Sequence, residues 1–148
     1  MITLSKPYIT QLEIDTVIDV LKSDRLSMGK YTELFEREIS KIAKTKYSIA
    51  VNSGTSALHL ILKSLGIQQG DYMIVPSFTF VASANVALFE KAIPIFVDID
   101  PRTYNVDPNA LEDLLKKIEQ GRVHINGQRV RIDKVRFFMP VDVFGQPV

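Results

Sequence analysis

The 148-residue chain contains no cysteine and only two histidines, and its formal net charge is +1. Without cysteine it forms no disulfide, no thiolate nucleophile and no cysteine-ligated metal centre. A charge so close to zero gives no electrostatic reason to expect nucleic acid or an anionic membrane as a partner. The apolar runs are too short to span a membrane, and the first ten residues lack a signal-peptide pattern. We therefore expect a cytoplasmic protein that binds neither nucleic acid nor membrane.

The polar residues suited to acid–base or metal chemistry are scattered. His59 falls in a predicted helix and His124 in a predicted hairpin, and two histidines in unrelated contexts do not make a metal site. Asp98, Asp100 and Asp142 lie near predicted strand ends. The first two could bind a ligand, or Asp100 and the proline after it could simply start a turn. Because no nucleophile, base and acid come together, we assign no catalytic residue and no metal ligand.

Strand-like and helix-like segments alternate about four times along the chain. Helices are predicted over 11–23, 31–44, 55–66, 79–92 and 108–121, and strands over 47–51, 72–76, 93–99 and 134–144. Short connections and continuous apolar strands are typical of an α/β fold, with helices on both faces of a mostly parallel sheet. The Asn126–Gly127 pair, flanked by apolar residues, predicts a two-stranded hairpin with a type I′ turn.

Details of this pattern make further predictions. Asp107 is the expected N-cap of the last helix, with Pro108 at its first position. The apolar residues of the second helix, Leu34, Phe35, Ile39 and Ile42, are expected to face inward. The chain stops directly after a core strand and the Gly-Gln-Pro turn signal, and we expect it to be a piece of a longer protein.

The segment "NSGTSA", residues 52–57, joins a predicted strand to a predicted helix. A helix N-terminus presents unpaired N–H groups and attracts anions, so Gly54, Thr55 and Ser56 together could form a phosphate cup. The alternative is that Ser53 or Thr55 merely caps the helix. The segment matches neither the P-loop nor the Gly-x-Gly-x-x-Gly dinucleotide pattern.

The segment "PSFTFVASAN", residues 76–85, also follows a strand and opens a helix. Parallel strands bring their carboxyl ends to one edge of a sheet, so this segment should lie beside the first. Phe78 and Phe80 alternate with Ser77 and Thr79, and an aromatic ring there could cover a flat heterocycle. Alternatively, both phenylalanines belong to the core.

Several segments in order and spacing carry a family resemblance. They are "LKSDRLSMGKYTELFEREIS", "NSGTSALHL", "GDYMIVPSFTFVASANVAL", "IPIFVDIDPRTYNVDPNALE" and "PVDVFGQPV". Together they resemble the DegT/DnrJ/EryC1/StrS family of fold-type-I, pyridoxal-phosphate-dependent sugar aminotransferases. The resemblance implies that Gly54, Thr55 and Ser56 hold the cofactor phosphate and that Phe80 stacks on the pyridine ring. It also implies that Lys30 and Tyr31 lie in a substrate-binding loop at the active-site mouth.

The same resemblance implies the domain plan and the reaction. Residues 1–45 would be an N-terminal helical segment, and residues 46–148 the first part of the cofactor-binding large domain. The full-length protein would be a homodimer that moves an amino group from an amino acid, usually glutamate, to a nucleotide-linked keto sugar. In the family the Schiff-base lysine lies beyond the Gly-Gln-Pro segment, so this chain alone would be inactive.

Two departures from the family pattern stand out, and three alternatives stay open. The segment "RVHINGQRVRIDK" is longer than the usual connection, and Asp142 stands where many members have histidine. The full-length protein could instead be a sugar dehydratase of the same family, in which histidine replaces the lysine. The chain could also be a non-catalytic phosphate-binding module, or a truncated product with no stable fold of its own.

Overall fold

Five α-helices and five short strands follow one another in residues 5–147, the part of the chain that the computed structural model describes. Their contacts group them into two units that meet in sequence between Ala50 and Val51. The first unit holds α1 (Gln11–Leu21) and α2 (Lys30–Ala43). The second holds α3 (Gly54–Ser64), β1 (Tyr72–Pro76), α4 (Ala82–Phe89), β2 (Ile93–Val97), α5 (Pro108–Glu119), β3 (His124–Ile125), β4 (Gln128–Arg129) and β5 (Val135–Phe138). Residues 1–4 of the predicted N-terminal segment (1–45) and residue 148 of the predicted large-domain segment (46–148) lie outside the described part.

In the N-terminal unit, local hydrogen bonds define where α1 begins. The Thr10 hydroxyl accepts a bond from the Leu12 N–H at 3.3 Å, and the Glu13 carboxylate accepts one from the Thr10 N–H at 2.6 Å. This reciprocal capping box starts α1 where the sequence predicts a helix.

The prediction that the apolar side of α2 faces inward is wrong. Leu34, Phe35, Ile39 and Ile42 are between 38% and 78% exposed. An amphipathic helix buries its apolar side only against another apolar surface, and neither helix of this unit contains a buried residue.

The main sheet of the second unit has three strands in the order β2-β1-β5, all parallel. In the register, Ile74 of β1 lies between Ile95 of β2 and Phe138 of β5. Side chains of β1 alternate between the two faces of the sheet, because successive residues of a strand point in opposite directions.

Each face of this sheet has its own hydrophobic core. On one face, Tyr72 and Ile74 of β1 pack with Ile118 of α5. On the other, Met73 of β1 packs with Leu62 of α3 and Val86 of α4. The predicted α/β class, with helices on both faces of a mostly parallel sheet, is confirmed.

The connections of the second unit agree with their sequence signals. Asn126 and Gly127 both have positive φ, 51° and 77°, as a type I′ turn requires, and they join β3 to β4 in an antiparallel pair. The Asp107 carboxylate accepts a hydrogen bond from the Asn109 N–H at 2.8 Å, and Pro108 begins α5. Both predictions are confirmed.

Predictions of one whole strand and of the ends of two other elements were less accurate. No strand forms over 47–51; Tyr47 and Ile49 are 74% and 81% exposed. An extended apolar segment becomes a strand only beside a hydrogen-bonding neighbour, and none of the strands in residues 5–147 pairs with this one. Helix α4 begins at Ala82, later than predicted, and β5 ends at Phe138, shortly before Pro140, which has no N–H to offer a ladder.

A buried carboxylate ties β1 to β5 at the amino ends of these strands. Asp71 is fully buried, and its oxygens lie 3.4 Å from Lys134 Nζ and 3.1 Å from Arg136 Nη1. The backbone N–H of Gln68 also donates to Asp71, at 3.0 Å. Two cations and a backbone donor therefore satisfy this charge inside the fold.

We expect Asp71→Ala to lower the free energy of unfolding by about 2–4 kcal/mol, because it leaves two neighbouring cations without their common partner. Chemical denaturation of the protein measures the change. The matched control is Asp113→Ala, which breaks a pair with Lys117 that is exposed on both sides. It should cost less than about 1 kcal/mol. Equal losses in the two variants would contradict this account of Asp71.

Candidate functional site

A cavity of about 660 Å³ lies in the second unit, where the segments that follow β1 and β5 approach the start of α3. Its walls come from three parts of the chain: Gly54, Thr55, Ala57 and Leu58; Thr79, Phe80, Ala82 and Ser83; and Val141, Asp142 and Val143. The volume is in the range of small-molecule and cofactor sites. The cavity lies beyond the carboxyl ends of β1 and β5, which is where open α/β sheets bind ligands.

The N-terminus of α3 forms one wall. Ser53 caps the helix, and its hydroxyl accepts a hydrogen bond from the Ser56 N–H at 3.1 Å. The Ser56 hydroxyl donates to Asn52 Oδ1 at 2.7 Å. Helix geometry gives the N–H groups of Gly54 and Thr55 no acceptor within the helix, so they can bind an anion.

The backbone at Gly54 is open to a ligand. A Cβ built at this position meets no atom within 4 Å, so packing inside the chain does not demand glycine there. The open space, two helix N–H donors and the Thr55 hydroxyl suit the size and charge of a phosphate group. These residues therefore fit the cofactor phosphate that the family resemblance implies.

The structure separates the two phenylalanines of "SFTF". Phe80 lines the cavity and is 76% exposed. Phe78 is 46% exposed and packs against Tyr104 and Phe144, with ring centroids 5.5 Å and 6.4 Å away. The alternative that both belong to the core is wrong. An aromatic ring exposed in a cavity is available to stack on a flat ligand.

Sequence reasoning did not pick out three other cavity residues as site residues. Thr79 and Ser83 are four residues apart, and their hydroxyl oxygens lie 3.1 Å from each other. Ser83 is buried although it lines the cavity. Asp142 adds a carboxylate to the same wall. The four-residue spacing of the two hydroxyls at a predicted helix start was the signal that could have found this pair.

Lys30 and Tyr31 belong to the N-terminal unit, where they begin α2. The Lys30 ammonium lies 5.0 Å from the centroid of the Tyr31 ring. Both residues border a cavity of about 280 Å³ within that unit, together with Asp24 and Arg25. Gly54, Thr55 and Phe80 share the cavity of the other unit.

The remaining polar candidates serve the loops in which they lie. Asp100 binds Arg102 at 2.8 Å, and its carbonyl oxygen accepts the Tyr104 N–H at 2.8 Å, as in the turn that was one of the two interpretations. His124 is exposed in the hairpin. Across residues 5–147, no three histidine, cysteine or acidic side chains are grouped so that they could hold a metal ion. Among the described helices, none combines the length and apolar character needed to cross a bilayer.

His59 is bonded on the side of α3 that faces the end of α4. Its Nε2 atom lies 2.6 Å from Glu90 Oε1, and Lys63 Nζ lies 3.0 Å from the same oxygen. The His59 ring meets the Phe89 ring edge-on, with centroids 5.3 Å apart. The hydrogen bond from His59, followed by that from Lys63, lowers the pKa of Glu90 below its usual value.

Residues 7–148 match the DegT/DnrJ/EryC1/StrS aminotransferase family. The chain belongs to this family. The family depends on pyridoxal phosphate, which makes the cavity with Gly54, Thr55 and Phe80 the candidate cofactor site.

Individual relatives are similar over most of this chain but are much longer. GDP-perosamine synthase of Caulobacter vibrioides is 37% identical over 137 residues, which cover 90% of this chain and 37% of that protein. The 3-oxo-glucose-6-phosphate:glutamate aminotransferase of Bacillus subtilis is 33% identical over 125 residues, covering 83% and 28%. The crystal structure of NtdA from Bacillus subtilis, with bound cofactor PMP, has a TM-score of 0.75 and 30% identity, covering 91% and 27%. The chain spans no more than 40% of the first curated relatives that it matches.

We expect the contribution of Glu90 to stability to depend on pH in the acid range. A carboxyl whose pKa is lower in the folded state than in the unfolded state stabilises the fold above the unfolded pKa, about 4.3. That contribution is lost as the pH falls through the lowered folded pKa. The difference in unfolding free energy between the wild type and Glu90→Gln should therefore shrink as the pH falls below about 4.3. A difference that stays unchanged to pH 3 would contradict this.

Proposed function

We propose that this chain is the N-terminal, cofactor-holding part of an aminotransferase that uses pyridoxal phosphate to aminate a nucleotide-linked keto sugar. One observation carries the proposal: Gly54 and Thr55 at a helix N-terminus and the exposed ring of Phe80 line the same cavity. A phosphate ester attached to a flat aromatic ring has the chemistry that this pairing suits.

The proposed phosphate contacts use the hydrogen-bond donors at the start of α3 that are not already bonded within the turn. The N–H groups of Gly54 and Thr55, with the Thr55 hydroxyl, would bind phosphate oxygens through charge-assisted hydrogen bonds. The Ser56 N–H and hydroxyl bond to Ser53 and Asn52. Ser56 would therefore act mainly by holding the turn in the shape that presents its neighbours.

The other cavity wall would bind the ring and the reacting part of the substrate. The ring of Phe80 would stack on the pyridine face and fix its tilt. Two hydroxyls that share one hydrogen bond, Thr79 and Ser83, keep one O–H donor for an oxygen of the ligand. When bound, the cofactor supplies an electron sink for the transfer of nitrogen, while these residues bind and orient it.

The substrates are proposed from the relatives and from the chemistry of Lys30 and Tyr31. Caulobacter vibrioides GDP-perosamine synthase and the Bacillus subtilis 3-oxo-glucose-6-phosphate:glutamate aminotransferase carry a nucleotide sugar and glutamate in their names. Glutamate is the proposed amine donor here. Lys30 and Tyr31 would bind the nucleotide-linked keto sugar. The Lys30 ammonium group would contact the phosphates of this substrate, and the Tyr31 ring would pack on the apolar face of the sugar. We still predict that the full-length protein is a homodimer in the cytoplasm.

The test uses the complete product of the gene. We expect it to bind pyridoxal phosphate with a change in the absorption spectrum, and then to form 2-oxoglutarate and an amino sugar in equal amounts from glutamate and a nucleotide-linked keto sugar. A keto sugar phosphate without a nucleotide is the comparison substrate. Deoxygenated sugar as the product would favour the dehydratase of this family, and no spectral change with pyridoxal phosphate would contradict the proposal.

Thr55→Ala should weaken pyridoxal phosphate binding by about 10-fold or more, because it removes a hydrogen bond to a charged group. Adding Ser56→Ala should weaken it further by loosening the turn. Equilibrium dialysis measures the dissociation constant. Ser64→Ala, at the other end of α3, removes a hydroxyl that bonds only to its own helix, so it serves as the control. An unchanged constant in the Thr55 variant would refute its assignment.

Phe80→Ala should raise the pyridoxal phosphate dissociation constant by about 2–10-fold, because an aromatic contact is lost. Phe80→Trp keeps a flat ring and should retain binding. Phe96→Ala removes another half-exposed phenylalanine, on β2 outside the cavity, and should leave the constant unchanged. If the Phe80 and Phe96 variants behave alike, Phe80 has no stacking role.

A further inference from the structure

The two groups proposed to bind the cofactor, the phosphate donors and the stacking ring, lie at the starts of two different helices. Gly54 and Thr55 begin α3, whereas Phe80 lies just before α4. A ligand that must meet both the phosphate donors and the ring can bind well only when these two segments keep a fixed spacing. This inference rests on the proposed function.

Apolar packing alone does not fix that spacing well. Leu58 and Leu62 of α3 pack with Val86 and Ala87 of α4 in the core below the helices. Hydrophobic burial is not directional, so contacts of this kind leave two helices freer to shift along their axes than hydrogen bonds between them would. Directional bonds between the helices can remove that freedom.

Glu90 provides such bonds. It follows the last residue of α4, and its carboxylate lies 2.6 Å from His59 Nε2 and 3.0 Å and 3.1 Å from Lys63 Nζ. His59 and Lys63 are one turn apart on α3, so two points of that helix are tied to one point at the end of α4. The Glu90 and His59 side chains are 18% and 32% exposed, so their bond is screened less than a surface ion pair, whereas Lys63 is 61% exposed and its bond is the weaker of the two.

We propose that Glu90 is a positioning residue for the cofactor site. Through His59 and Lys63 it sets the axial position of α3 relative to α4, and so the distance between the phosphate donors and the Phe80 ring. Phe89, whose ring meets His59 edge-on, keeps the imidazole in the orientation that the bond requires.

The proposal is tested with two ligands that differ in how much of the cavity they touch. Pyridoxal phosphate spans both walls, whereas inorganic phosphate reaches only the α3 donors. In the complete gene product, Glu90→Gln should raise the pyridoxal phosphate dissociation constant about fivefold and change that of inorganic phosphate by less than about twofold. Equal increases for both ligands, or no increase for either, would overturn the proposal.

Further variants separate positioning from general stability. His59→Gln keeps an N–H donor for Glu90 and should bind pyridoxal phosphate better than His59→Ala. Glu112→Gln removes a carboxylate that pairs with Lys116 on α5, against the opposite face of the sheet, and should leave both constants unchanged. Should Glu90→Gln fail to fold, Lys63→Met is measured in its place. The dissociation constant of pyridoxal phosphate should again rise while that of inorganic phosphate changes little, and equal increases or no increase would overturn the proposal.

The outcome is distinguishable from failure of the proposed function. If the wild type binds pyridoxal phosphate and Thr55→Ala weakens that binding, the cofactor site stands even when Glu90→Gln has no effect. If the wild type does not bind pyridoxal phosphate, both the proposed function and this inference fail.

Discussion

The fold of the second unit depends on the hydrogen bonding of β1 along both of its edges. Tyr72–Pro76 are all buried and lie between β2 and β5, with all three strands running in one direction. Because these strands are parallel, their carboxyl ends meet at one edge of the sheet. The loop after β1 carries Phe80 to that edge, and the chain after β5 carries Asp142 there. The candidate site is thus a consequence of strand direction before it is a consequence of any one side chain.

Local signals allowed much of this fold to be predicted. The bounds of β1, the Asp107–Pro108 start of α5 and the Asn126–Gly127 turn depend on residues within a few positions of each other. The strand over 47–51 and the burial of the apolar side of α2 did not follow, because both depend on a partner surface. A sequence pattern shows that a segment can pair, but it does not supply the segment with which it pairs.

The candidate site also has parts that could be predicted from local sequence and parts that depend on distant residues. Gly54, Thr55 and Phe80 were expected together because two predicted strand-to-helix junctions of a parallel sheet should share an edge. They do line one cavity, although the first of those two strands, over 47–51, does not form. The bond between His59 and Glu90 could not be predicted, since 31 residues separate them and each is ordinary in its own segment. The role proposed for Ser56 also needed the structure, because only the geometry of the turn shows which donors are already bonded. Lys30 and Tyr31 rest on the family resemblance, and their substrate role stays a prediction.

The two ends of the sheet treat polar groups in opposite ways. At the amino ends, Asp71 is enclosed by Lys134, Arg136 and the Gln68 N–H, so charge is neutralised by the chain itself. At the carboxyl ends, the first N–H groups of α3 and the ring of Phe80 face a cavity. At the amino ends the chain itself therefore pairs the charge, while at the carboxyl ends backbone donors and an aromatic ring are open to a ligand. A molecule that binds in this cavity would add contacts to the sheet's carboxyl edge, so ligand binding and local order there should rise together.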